Sequence, residues 1–184
     1  MNRLEKTLVL IKPEAIERAL VGKIISRFER AGLYLEEMKI LKPAREIIEK
    51  HYPDDPDWVK NVGNKTIDTY KKYNLNLKQD LGTEDPLEIG HIIREWLMKH
   101  LAFSPVVAII LSGNHAVEVT RKMVGSTIPL FAELGSIRGD FSIDSPDYST
   151  PEKRVLYNLV HASESAEEAQ REIALWFGDD FNIN

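Results

Sequence analysis

One histidine stands where chemistry is easiest to arrange. Leu159 and Val160 favour an extended run that His161 ends, and Ser165 and Glu168 follow at capping-box spacing, each side chain satisfying the other's free backbone N–H. A helix should therefore start just after the imidazole, and its first-turn N–H groups and positive dipole end favour an anion there. Three cations from distant parts of the chain can join it. Lys12 closes the apolar run TLVLI, Arg121 lies on a helical face ahead of Gly125, and Arg138 sits in a loop over residues 125–141 punctuated by Gly and Pro. Read singly, these are a snorkelling lysine and two surface arginines. Read together, they suit a polyphosphate ligand and a nucleophile.

Other chemistries are excluded by what the chain lacks. It has no cysteine, which removes disulfides, thiolate metal sites and thiol nucleophiles. There is no H-E-x-x-H pair and no G-x-S-x-G, so neither a tightly held protein-borne metal nor a serine nucleophile is expected. Gly22-Lys23 fails as a P-loop because Glu17 stands where that motif needs glycine. A formal charge of -5 gives no general attraction for nucleic acid or acidic membranes. An RNA-binding domain is disfavoured for that reason and for want of its aromatic sheet motif. The apolar runs are too short for a signal peptide or a membrane span, and the composition fits a soluble, cytoplasmic protein.

The elements that must position these residues follow in order. The run TLVLI predicts a buried strand, broken by Lys12-Pro13-Glu14, and Val21, Ile24, Ile25 and Phe28 recur at helical spacing before Gly32. Residues 33–41 predict a second strand whose alternation Glu36-Glu37 disturbs, and 44–52 a helix carrying Tyr52. From 53 to 85 the composition turns to Pro, Asp and Asn with scattered apolar anchors, which predicts short helices on the outside of the domain. Asp85, Pro86 and Glu88 start a new helix, in which His100 reads as an ordinary helix histidine. The run PVVAIIL predicts the central strand, and Asn114 is placed to cap the next helix. Phe141-Ser142-Ile143 can begin a further short strand, 144–153 reads as loop, and Val155 to Val160 leads back to His161.

Segments TLVLIKPEAIERALVGKIISRFERAGL, PVVAIIL, RKMVGSTIP, GSIRGDF, NLVHASES and EIALWF together resemble the nucleoside diphosphate kinase family, in the family's order. The resemblance implies an α+β, ferredoxin-like βαββαβ core with an antiparallel sheet backed by helices. It also implies a single domain over 1–184, with mainly helical insertions at about 53–92 and 144–155, and a homo-oligomer. The implied activity passes the γ-phosphoryl group of a nucleoside triphosphate to a nucleoside diphosphate through a phosphohistidine, in a ping-pong cycle with Mg²⁺ carried by the nucleotide phosphates. His161 would be the nucleophile. Lys12 would contact phosphate and ribose, Tyr52 would lie near the transferring group, and Arg121 and Thr127 would hold the β-phosphate. Arg138 would hold the γ-phosphate and Asn158 the sugar, while Ser163 and Glu172 orient the histidine. A regulatory nucleotide-binding protein with weak turnover is the alternative. Glu14, Ala15, Leu134 and Ala162 depart from the family's usual residues, and an aliphatic residue near Ile93 replaces its base-stacking aromatic. In a regular strand Asn158 and His161 point to opposite faces, so sharing a site demands a bend between them.

Overall fold

The computed structural model describes residues 4–178. Four strands form one sheet, β1 (Glu5–Ile11), β2 (Tyr34–Leu41), β3 (Val106–Gly113) and β4 (Val160–Ala162), in the order β2-β3-β1-β4. Every pairing is antiparallel, which gives the expected α+β architecture. Residues 8–11 of β1 and 106–111 of β3 are apolar without interruption because both faces of the sheet are covered there. Val9, Ile11, Val107 and Ile109 pack into one core with Ile24 and Phe28 of α2 (Val21–Arg30). Leu8, Leu10, Ala108 and Ile110 pack into the other with Ile48 of α3 (Arg45–His51) and Ile173 and Trp176 of α10 (Ala166–Phe177).

The remaining helices are α1 (Pro13–Glu17), α4 (Pro56–Lys72), α5 (Leu77–Leu81), α6 (Pro86–Phe103), α7 (Ala116–Val124), α8 (Ile137–Phe141) and α9 (Pro146–Ser149). Asp85 caps α6 by accepting from the N–H groups of Leu87 and Glu88, as its spacing predicts. α4 runs for 17 residues, so the Asp- and Asn-rich stretch is not a set of short helices. It lies along α6 at a spacing that only glycine permits: a Cβ on Gly63 would sit 1.7 Å from the Pro86 carbonyl oxygen, and one on Gly90 2.0 Å from that of Val59. Its far end reaches the loops beyond α7, where Tyr73 stacks on Phe131 at 3.8 Å and the Tyr70 hydroxyl meets that of Thr150.

One local expectation is sharpened and four are corrected. The disturbance at Glu36-Glu37 is a register shift in the β2–β3 ladder between Leu35 and Glu37. Residues 125–141 contain a 3₁₀ turn (Pro129–Phe131) and α8 rather than continuous loop, and 144–153 contains α9. Phe141-Ser142-Ile143 pairs with no strand: Phe141 ends α8, and the Ser142 hydroxyl donates to the Tyr157 carbonyl. Asn114 does not cap α7; the Val117 N–H is met by the Glu5 carboxylate at 3.0 Å, a partner distant in sequence.

Candidate active site

The ladder sets the direction of the key imidazole. His161 is the middle residue of β4, not its end, and pairs with Leu10 of β1, so it faces the α3 and α10 side as Leu10 does. There its Nε2 lies 2.9 and 3.0 Å from the two carboxylate oxygens of Glu172, on α10. The Ser163 hydroxyl donates to the same carboxylate at 2.6 Å. Glu172 is 1% exposed. Burial alone would raise its pKa, but the nearby His161 charge, hydrogen bonds from His161 and Ser163, and the neighbouring His51 hold it down at about 2. An ionised acceptor fixes the proton on Nε2 of His161, leaving Nδ1 with the lone pair. The side chain is 23% exposed, so that nitrogen belongs to a ring a substrate can approach.

The bend that Asn158 needs is made by Leu159, whose φ is +71°. In a regular strand neighbouring residues face opposite ways, yet Leu159 and Val160 share one core. The left-handed residue thus carries Asn158 round to the side of Lys12. The Lys12 ammonium donates to Asn158 Oδ1 at 2.6 Å, and Asn158 Nδ2 donates to the Thr127 carbonyl at 3.0 Å. Arg138 stitches the same turn: Nε donates to the Asn158 carbonyl, Nη2 to that of Val160 and Nη1 to that of Gly125. Burial, with Arg121 nearby, lowers its pKa to about 10, so it stays charged at neutral pH. Lys12 is lowered to about 8, chiefly by burial.

Arg121 on α7 lies 3.7 Å from Glu164, whose carboxylate also pairs with Lys65 of α4. Tyr52, directly after α3, is buried in the second core, and burial, with Glu172 and Glu14 close by, pushes its hydroxyl pKa up. Its ring packs 4.6 Å from that of His51, which stands edge-on to His161 at 4.7 Å. The nine residues singled out from the sequence are therefore gathered around one turn and one strand. The capping box is half formed: Ser165 accepts from the Glu168 N–H, but Glu168 reaches the N–H of Glu164 instead.

Three participants escaped the sequence reading. Glu14, noted only as a departure, is buried and accepts from the Leu159 N–H at 2.9 Å. His100, far from ordinary, meets the other Glu14 oxygen at 2.7 Å. His51 is buried, and its pKa is lowered to about 3, chiefly by burial and by the charge of His161. Its adjacency to Tyr52 was the one available signal. Ligand atoms of His51, His161 and Glu172 lie within 4.8 Å of one another, a donor set compact enough for a metal ion. Each is already engaged: the Trp176 indole donates to His51 Nδ1, and His161 and Ser163 donate to Glu172.

A family model described as nucleoside diphosphate kinase matches residues 5–68 and 93–181. A nucleoside diphosphate kinase from Pyrobaculum aerophilum is 48% identical over 176 residues, covering 96% of each chain. The crystal structure of an NDP kinase from that organism superposes with a TM-score of 0.88 at 45% identity, covering 98% of this chain and 100% of the other. The kinase from Borrelia burgdorferi, solved as a transition-state mimic with vanadate and ADP, gives 0.77 at 33% identity over 100% and 93%. With its site residues converging and its sequence aligned almost end to end, the chain belongs to the nucleoside diphosphate kinase family.

Proposed function

We propose that this chain transfers the γ-phosphoryl group of a nucleoside triphosphate to a nucleoside diphosphate, with Nδ1 of His161 as the group's carrier. The observation that bears the proposal is the Glu172–His161 pair, which occupies Nε2 and leaves Nδ1 open beside gathered cations. In the first half-reaction Nδ1 attacks the γ-phosphorus, the bond to the bridging oxygen breaks, and the nucleoside diphosphate leaves. The imidazole becomes cationic as Nδ1 bonds to phosphorus, and the buried carboxylate offsets that charge. In the second half-reaction a different diphosphate attacks the phosphohistidine and restores the ring.

Phosphoryl transfer asks a protein mainly for positioning and charge. Arg121 and Thr127 take the β-phosphate, and Arg138 lends its charge to the γ-phosphate. Lys12 contacts phosphate and ribose, Asn158 holds the sugar, and Tyr52 lies near the group in flight. Ser163 and Glu172 orient the imidazole. Magnesium enters with the nucleotide: Glu14, Glu164 and Glu172 are engaged by protein partners, so the phosphates themselves are its natural ligands.

Residues 53–92 and 144–155 are insertions on a single domain, linked to each other by Tyr70 and Thr150. A homo-oligomer is favoured by the edge strand β2, where Tyr34 is 63% and Ile40 68% exposed. A cytoplasmic location accords with the cysteine-free composition. Incubation with γ-labelled ATP and magnesium tests the core proposal. An acid-labile label on the wild type that disappears in His161→Ala is expected; an unlabelled wild type, or full labelling of the variant, refutes it.

A further inference from the structure

The left-handed turn at Leu159 holds two site residues in phase, and its anchoring is unusual. The Leu159 carbonyl accepts from the Lys12 N–H at 2.8 Å, an ordinary ladder contact. Among the described residues the Leu159 N–H has no backbone acceptor, and it is met instead by the Glu14 carboxylate, which is itself 5% exposed. The other oxygen of that carboxylate receives Nε2 of His100 from α6, and the His100 ring stacks on Tyr157, directly before Asn158. One buried acid therefore joins α1, α6 and the turn that carries Asn158 and His161.

We propose that Glu14 is a positioning residue for phosphoryl transfer, clamping the Leu159 turn that carries Asn158 and His161, with His100 fixing the carboxylate from α6. This rests on the kinase reading above. A non-glycine residue at positive φ is strained and persists only where its surroundings hold it. Removing the clamp lets the turn relax toward a regular strand, which would carry Asn158 away from Lys12.

The same carboxylate acts through charge. Lys12 is pushed down by burial and by Arg138 of α8, and Glu14 opposes both. Asn158 is its uncharged partner, and His51 on α3 lies within its field. Glu14 in turn is faced by Lys12 and His100, and Tyr52 and Arg138 also feel its charge. With the ammonium already lowered to about 8 in the fold, losing Glu14 removes the charge that opposes any further fall. Lys12 binds phosphate only while charged.

The test uses the full chain, once the wild type has been shown to carry the acid-labile label. An unlabelled wild type would defeat the kinase reading itself, before any variant is compared. Glu14→Gln keeps an acceptor for the Leu159 N–H but loses the charge. Its alkaline limb of kcat/KM for magnesium ATP should move down by about one pH unit. His100→Leu frees the carboxylate and should lower kcat/KM about ten-fold, with recovery in His100→Gln, which restores an N–H donor. A folded Glu14→Gln whose limb coincides with that of the wild type overturns the proposal. If Glu14→Gln does not fold, His100→Leu decides: wild-type kcat/KM with only a lowered melting temperature would make the pair purely structural.

Discussion

Replacing Glu172 by Gln preserves shape and removes one buried negative charge. In the folded chain that carboxyl titrates near 2 rather than at its ordinary 4.5. By linkage the difference amounts to about 3 kcal/mol of stability at neutral pH. The sign follows from the lowered pKa: this stability is fully present above about pH 4.5 and is lost as pH falls toward 2. The same interaction strengthens when His161 gains positive charge on phosphorylation, so losing it should slow that step by about 100-fold. Gln adds a second fault, because its amide can donate to Nε2 and move the imidazole proton to Nδ1, blocking the nucleophile. Rapid-quench measurement of phosphohistidine formation in a single turnover reads the loss of rate. Thermal denaturation across pH reads the loss of stability, with the gap between wild type and variant closing as pH drops below 4.5. A phosphorylation rate within about three-fold of wild type, or a melting gap independent of pH, would refute the assignment of Glu172 as the charge partner.

Gly63→Ala forces a methyl into the Pro86 carbonyl and should separate α4 from α6, costing about 1–3 kcal/mol in chemical denaturation. Gly125→Ala meets Ser136 Oγ at 2.4 Å from a residue at φ +85°, and a loss of about 1–3 kcal/mol is expected, with weaker nucleotide binding because the Gly125 carbonyl anchors Arg138. Glu5→Ala removes the carboxylate that meets the α7 N-terminus and should cost about 1 kcal/mol in melting experiments; an unchanged melting temperature would show that solvent caps that end equally well.

Much of the site was legible because its chemistry-bearing residues lie beside strong local signals. His161 precedes a serine-capped helix, Lys12 ends an unmistakable strand, and Arg121 precedes a helix-terminating glycine. The family resemblance then supplied Tyr52, Thr127 and Asn158, which periodicity leaves as packing or loop residues. Partners set by tertiary approach left no such trace. His100 looks like any helix histidine until α6 brings it to Glu14, and Glu5 looks like a surface acid until β1 brings it to α7. The short helices α8 and α9 were hidden for another reason: at five and four residues they carry too little apolar periodicity to separate from loop. The bend at Leu159 was inferred as a necessity from the faces of Asn158 and His161, but nothing in a leucine announces a left-handed backbone.

That bend also decides which mutations the imidazole can feel. The Leu159 side chain is anchored in the core beneath α2, while His161, two residues on, is gripped by α3 and α10 on the opposite side of the sheet. The short segment between them works like a lever with its fulcrum in the sheet. A substitution elsewhere in the core that holds Leu159 and changes its packing tilts one arm and moves the other, with no residue of the site altered. Variants with normal folds but weakened turnover should therefore map to core positions that lie across the sheet from His161.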